Sequence, residues 1–328
     1  MSTATPIAAS NRGVFAASAV ERIRLCRAHF RVTLAVDGFP DAAPGQFVQV
    51  LCHNGQVLGD SLSTGDPIAG AHNPVFDITE RVDSVHTPML RRPFSIAGLA
   101  RRGTTCELSL IGRVVGPGTA WLDALRPRDR VDLLGPLGRP FTLPTAGETA
   151  LLVAGGVGLP PMLFLAERLR GRGVRSVAFF GAQTRDLIPL SLLTEPDRNG
   201  LPTACAAEFN AFNTPCAVTT DDGSCGLKGR VTGALMQHLG CGCEPERLRV
   251  YACGPEPMLK AVASVCAASD IRCELAMERV MGCGMGTCQS CVIPVRDAAY
   301  SDGWRYALCC TEGPVFEANR VIFDSGSN

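Results

Sequence analysis

The chain lacks net charge. Its 31 lysines and arginines match its 31 aspartates and glutamates, so it offers no electrostatic footprint for a polyanion, and neither a nucleic acid nor an anionic membrane surface is expected as a partner. It also lacks any run of about 18 uninterrupted apolar residues, the length that a membrane span requires. Residues 1–12 hold no apolar stretch of the kind a secretion signal carries, and no internal repeat is visible. Cysteine, by contrast, is abundant, with 16 in 328 residues. A secreted disulfide scaffold would crowd such a number into a short chain. Here the thiols are spread through a sequence long enough for two or three domains, and their densest group has metal-ligand spacing. Reduced thiols and a cytoplasmic enzyme are expected.

That group is Cys283, Cys288 and Cys291, separated by four residues and then two, with Gly284 and Gly286 in the first gap. Plant-type ferredoxin loops hold a [2Fe–2S] cluster with this spacing and take a fourth thiolate from further along. The glycines let main-chain N–H groups turn toward sulfur. Cys309 and Cys310 follow after residues 296–305, a polar stretch that reads as a hairpin or loop. A zinc knuckle is the alternative, although zinc sites favour two short paired-cysteine arms and only one is obvious here. Cys205, Cys216, Cys225, Cys241 and Cys243 have no comparable spacing and read as small buried residues.

Short strand-like runs fill the first half. Residues 30–36 alternate in polarity, residues 44–51 follow a turn, and residues 107–111 and 130–134 repeat the pattern. They predict an antiparallel β-barrel over residues 1–146, with a turn-rich insertion at about 61–89. Beyond Pro144 the texture changes. Residues 148–154 form an apolar strand, Gly155 to Gly158 a turn, residues 159–170 have helical length and period, and residues 175–181 make a second buried strand. This βαβ unit predicts a parallel-sheet nucleotide-binding domain over 147–268, leaving 269–328 as a cluster-binding domain. The fold class expected is α/β plus all-β.

Four segments have the chemistry to touch a cofactor. Gly156 and Gly158 precede a proline pair and would bring backbone N–H groups and a helix start up to a diphosphate, though a lone loop of this kind is as readily a plain connection. Cys253-Gly254-Pro255 ends another strand, and two such turns would border one crevice. Arg92-Pro93-Phe94-Ser95 places a cation, an aromatic face and a hydroxyl on a strand. Gly116-Pro117-Gly118-Thr119 places N–H groups and a hydroxyl on a turn leading into a helix. Together the last two could hold a ring and a diphosphate; taken singly, they are a strand with a surface arginine and a hairpin turn.

Taken in chain order, from Arg92 through Gly116 and Gly156 to Cys253, these four motifs, with Gly135-Pro136-Leu137-Gly138 between the second and third, resemble the ferredoxin–NAD(P)+ reductase superfamily. The tail is more specific: residues 277–291 and 310–316, with Thr220-Asp221-Asp222-Gly223-Ser224 upstream, closely resemble the electron-transfer subunits of NAD-dependent dihydroorotate dehydrogenases. The resemblance implies three cofactors: FAD, a [2Fe–2S] cluster and NAD. It implies that Arg92 pairs with the FAD diphosphate, that Pro93, Phe94 and Ser95 lie along the isoalloxazine with Ser95 near N5, and that Gly116, Gly118 and Thr119 bind the diphosphate again. Gly156 and Gly158 would face the nicotinamide nucleotide, Cys253 and Gly254 would border the nicotinamide, and Glu278 would sit near hydride transfer. Ser95, Cys253 and Glu278 are thus the expected catalytic set. Cys283, Cys288, Cys291 and Cys310 would ligate the cluster, Cys310 rather than Cys309 because it stands three residues before Gly313 in the family's register.

The implied activity is electron transfer in pyrimidine biosynthesis. Dihydroorotate would be oxidised in a separate FMN-containing catalytic subunit, partnered with this chain in a heterotetramer, and its electrons would reach NAD+ through the cluster and FAD. A nicotinamide exchanges a hydride and a cluster one electron, so a flavin has to stand between them. The chain itself shows no dihydroorotate-binding set and no nucleophile. Asp221 and Asp222 favour NAD if they lie at the ribose 2′-hydroxyl, while Arg185 argues for a phosphate there. Two alternatives stay open: a related reductase subunit serving ferredoxin, sulfide or hydrogenase chemistry, and a zinc-stabilised binding module without redox work.

Overall fold

The computed structural model describes residues 12–52, 90–240 and 244–323; the insertion at 61–89, Cys241 and Cys243 lie outside them. Six antiparallel strands close a barrel in the order β1 (Gly13–Arg24), β2 (His29–Asp37), β5 (Thr105–Arg113), β4 (Arg92–Arg102), β3 (Phe47–Leu51) and β6 (Arg130–Leu137). Period-two alternation drives this closure. Val32, Leu34, Val48, Val50, Ile96, Leu108, Leu110 and Leu133 all turn inward and share one core. Strand β1 has no counterpart among the predicted runs, because a register shift between Ala19 and Glu21 breaks its alternation. The short helix α1 (Pro117–Asp123) joins β5 to β6 and drops Leu122 into the barrel core.

Beside the barrel stands a seven-stranded sheet. Strand β7 (Thr149–Gly155), helix α2 (Leu159–Arg170) and strand β8 (Ser176–Ala182) form the predicted βαβ unit. After the single-turn α3 (Ala207–Asn210), β9 (Cys216–Thr220) and β10 (Leu227–Lys228) extend the sheet beyond β8. On the other side of β7 come β11 (Leu248–Cys253) and β12 (Arg272–Ala276), also parallel. Helix α2 covers one face, while α4 (Val231–Leu239) and α5 (Glu256–Ala268) cover the other. Burial on both faces explains why β7 and β11 are apolar nearly throughout. Strand order reverses between β7 and β11, the place where open parallel sheets take ligands beyond their carboxyl ends.

The thiol-rich tail begins and ends within this sheet. After β12 the chain runs through the cysteine loop and a hairpin of β13 (Val292–Arg296) and β14 (Trp304–Leu308), then returns as β15 (Val315–Glu317), antiparallel to β12. Strands β12 and β15, on either side of the cysteine loop, both follow residue 268 and both belong to the seven-stranded sheet. Barrel and sheet share a core as well: Ala97 and Ile111 pack with Leu159, Met162 and Val315. Among the described residues no helix is long and apolar enough to cross a membrane.

Candidate functional site

At the start of β4 stand two adjacent arginines, Arg91 just before the strand and Arg92 at its first position, which the fold separates. Arg91 is fixed inside the barrel wall, its guanidinium donating to the Asp132 carboxylate at 2.7 Å and to the Asp132 carbonyl at 3.0 Å. Arg92 lies against the start of α1: a β-carbon built on Gly118 would stand 3.1 Å from Arg92 Cγ. Among the described residues its guanidinium bonds only the carbonyls of Leu90 and Arg91, at 3.0 and 3.4 Å, and no carboxylate there pairs with it. Thr119 Oγ1 accepts the N–H groups of Val115 and Gly116 at 2.9 and 3.1 Å, which shapes the turn. The first-turn N–H groups of α1, which no helix can satisfy internally, open beside the Arg92 cation. This donor set fits a diphosphate. Further along β4, Phe94 packs into the barrel core and Ser95, half-buried, falls on the opposite face of the strand.

The two predicted turns of the sheet meet. Gly156 has a φ of +52°, and Gly158 lies so close to the end of β11 that a β-carbon there would fall on the Cys253 carbonyl and 2.6 Å from Gly254 N. The glycines thus bring the carboxyl ends of β7 and β11 into backbone contact at the point of strand reversal. Burial pushes the Cys253 thiol up to about 12, and the Glu278 charge nearby adds to the effect, so Cys253 is a neutral S–H. Further out, Arg185 is held by Glu195 at 2.9 and 2.5 Å, which neutralises the cation that argued for a phosphate. Asp221 faces Arg230 at 3.4 Å. Asp222 accepts the N–H and hydroxyl of Ser224 at 2.9 and 2.6 Å, which holds its carboxyl below the usual range and makes it the pivot of the turn.

The cysteines come together as two pairs. Cys283 N donates to Cys288 Sγ and Cys288 N to Cys283 Sγ, each at 3.4 Å, and Met285 N also donates to Cys283 Sγ. Cys310 N donates to Cys291 Sγ at 3.4 Å. The β13–β14 hairpin makes the second pair possible. Arg305 clamps Asp297 at 2.8 Å and Glu312 at 2.5 Å, and Cys309 N bonds the Cys291 carbonyl at 2.9 Å, so Cys310 returns beside Cys291. Cys309 points away, its Sγ donating to the Met277 carbonyl at 3.3 Å inside the core. No three metal-ligating side chains among the described residues converge on one point. A two-iron cluster takes two thiolates at each iron, which matches two pairs of thiols. The donor set fits the cluster.

A family model described as the iron-sulfur cluster binding domain of dihydroorotate dehydrogenase B matches residues 278–322, and an oxidoreductase NAD-binding domain matches residues 152–264. Relatives named as the electron transfer subunit of dihydroorotate dehydrogenase B (NAD(+)) include one from Geobacillus thermodenitrificans, 37% identical over 79% of this chain and 90% of its own. Another, from Lysinibacillus sphaericus, is 34% identical over 89% of this chain and 92% of its own. The chain belongs to this family. Among solved structures, that of an NADH-dependent reduced ferredoxin-NADP oxidoreductase superposes with a TM-score of 0.68 at 22% identity, covering 94% of this chain and 90% of the other. A ferredoxin NADP+ reductase from Neisseria gonorrhoeae gives 0.51 at 15% identity, over 78% and 91%. These two likenesses speak for the fold.

For a member of the dihydroorotate dehydrogenase B family, the expected site residues divide into three groups in space. Arg92 gathers with Gly116, Gly118 and Thr119 at the barrel end; Gly156, Gly158, Cys253, Gly254 and Glu278 gather at the strand reversal; the four thiols gather beneath the hairpin. Asp221 and Asp222 stand apart on the loop after β9. Sequence reading did not find Ser290, whose hydroxyl lies 3.2 Å from Cys288 Sγ and 3.2 Å from Gly282 N. A serine two residues after a ligand-type cysteine carries no distinguishing local signal.

Proposed function

We propose that this chain is the electron-transfer subunit of a dihydroorotate dehydrogenase, carrying electrons from dihydroorotate, oxidised in an FMN-containing partner subunit, by way of a [2Fe–2S] cluster and FAD to NAD+ in pyrimidine biosynthesis. The observation that carries this reading is the two-by-two pairing of Cys283 with Cys288 and Cys291 with Cys310, on a segment that starts and ends at the nucleotide sheet. When bound, FAD supplies a ring able to exchange a hydride with nicotinamide and single electrons with an iron–sulfur cluster.

The chain's own residues hold and orient. Arg92, with the N–H groups at Gly118 and Thr119, would hold the flavin diphosphate, and Ser95 would offer its hydroxyl to the flavin ring. Gly156 and Gly158 would admit the dinucleotide at the strand reversal, where Cys253 would offer an uncharged thiol to the nicotinamide. The Glu278 carboxylate beside it favours the positively charged, oxidised ring by simple Coulomb attraction. Cys288 is exposed while Cys291 and Cys310 are buried, so the thiol site opens to the surface on one side. That opening, flanked by Val280 at 87% exposure and Met285, suits docking of the catalytic subunit, in a cytoplasmic heterotetramer.

The test is anaerobic purification with the catalytic subunit, followed by addition of dihydroorotate. Partner-dependent bleaching of the visible bands and a reduced [2Fe–2S] paramagnetic signal are expected. If NADH reduces the centres but dihydroorotate with the partner does not, the electron donor is another protein and the pathway assignment fails.

A further inference from the structure

Gln49, on β3, is fully buried, and both ends of its carboxamide, Oε1 and Nε2, are without a hydrogen-bond partner among the described residues. Burying an unpaired amide is unfavourable, and native chains rarely leave one so. Alternation does not require it either. Val48 and Val50 point into the barrel core, whereas Gln49 faces outward and is covered by another part of the fold. An apolar side chain would serve for packing alone.

The covering segment is the cysteine loop. A β-carbon built on Gly284 would meet both Gln49 Cγ and Nε2 at 2.7 Å, so the amide occupies the side-chain face of this glycine, which has a φ of +72°. Gly284 directly follows Cys283, whose Sγ already receives the main-chain N–H groups of Met285 and Cys288. Across the ladder Gln49 pairs with Pro93 of β4, between Arg92 and Phe94 of the flavin strand. One side chain therefore reaches from the strand paired with the one proposed to hold FAD to the loop proposed to hold the cluster.

We propose that Gln49 is a positioning residue of the cluster: its amide N–H, which finds no partner among the described residues, is held over Gly284 to donate to an inorganic sulfide of a cluster bound beside Cys283, and so favours the reduced state. This rests on the cluster reading given above. Hydrogen bonds to cluster sulfurs stabilise the added negative charge and raise the reduction potential.

Gln49→Leu removes the donor and keeps the volume. The expected result is full loading with FAD and cluster, an unmoved flavin potential, and an equilibrium constant for cluster reduction lowered about tenfold, which is about 59 mV for a one-electron couple. Gln49→His, which keeps a ring N–H, should recover part of the shift. An intact cluster with an unchanged potential in Gln49→Leu overturns the proposal. Should that variant fail to fold or load, the decision falls to pulsed paramagnetic resonance on the reduced protein with the native Gln49, carrying side-chain 15N-glutamine and Gln289→Ala. A 15N coupling to the cluster supports the proposal, and its absence overturns it. A wild-type chain with no reduced [2Fe–2S] signal overturns the cluster reading and this proposal together, an outcome distinct from a potential that fails to move.

Discussion

Gly158 and Cys253 are in backbone contact, with no room between them for a single β-carbon. Because the atoms in the way are main chain, Gly158→Ala has to push the β7 and β11 turns apart. Overpacking of this kind costs about 1–3 kcal/mol, a factor of roughly 5–150 if it falls on dinucleotide binding. Stopped-flow reduction by NADH should therefore require correspondingly higher NADH, with flavin and iron content unchanged. Normal NADH dependence in Gly158→Ala would remove this contact from the nucleotide site.

Neighbouring thiols should behave oppositely. Cys291→Ser is expected to abolish the iron–sulfur absorbance and leave FAD in place, because Cys291 and Cys310 form one of the two pairs. Cys309→Ala should keep the full iron content and lose about 1–3 kcal/mol of stability, the effect of leaving the buried Met277 carbonyl without its donor. Iron analysis alongside thermal denaturation separates the two. Loss of iron in Cys309→Ala would transfer the ligand role to that residue.

Arg91 and Arg92 offer a second contrast. Arg92→Ala should lower FAD occupancy on purification while the barrel melts within a few degrees of wild type. Arg91→Ala breaks a half-exposed pair with Asp132, for which about 1 kcal/mol is the appropriate scale, and should leave FAD affinity unaltered. Flavin titration by fluorescence quenching reads both.

His29 gives the barrel a pH dependence. It is almost wholly buried, and burial, reinforced by the Arg113 charge, lowers its pKa from 6.5 to about 4. The unfolded chain takes up a proton near 6.5 and the folded one only near 4, so stability is complete above 6.5 and declines as pH falls toward 4. The decline attributable to His29 is about 3 kcal/mol at most. Urea unfolding at pH 7 and pH 5 should show a smaller loss for His29→Leu than for wild type. Parallel losses would mean that the folded and unfolded states bind the proton equally.

Features with a local cause were legible in the sequence. Cysteine spacing, the glycine turn with its proline-led helix over 159–170, and the alternating runs of β2, β3, β5 and β6 each follow from a few adjacent residues. Features that depend on distant partners were not. The neutralisation of Arg185 by Glu195, the pairing of Arg91 with Asp132 and the covering of Gln49 by Gly284 are set by the tertiary fold, and nothing adjacent to those residues announces them. Strand β15 escaped for a different reason: at three residues it is too short to show a period, and it exists because β12 offers an edge.

The segment from Cys310 to Phe316 meets the thiol site, the chain just past the barrel and the sheet. Cys310 stands at the thiol site, Gly313 accepts the Arg139 N–H at 2.6 Å from just beyond β6, and Val315 and Phe316 close the sheet against β12. Seven residues of chain therefore tie the thiol pair, the peptide just past the barrel and the edge strand of the sheet to one another, so none of the three can be displaced without pulling on the other two.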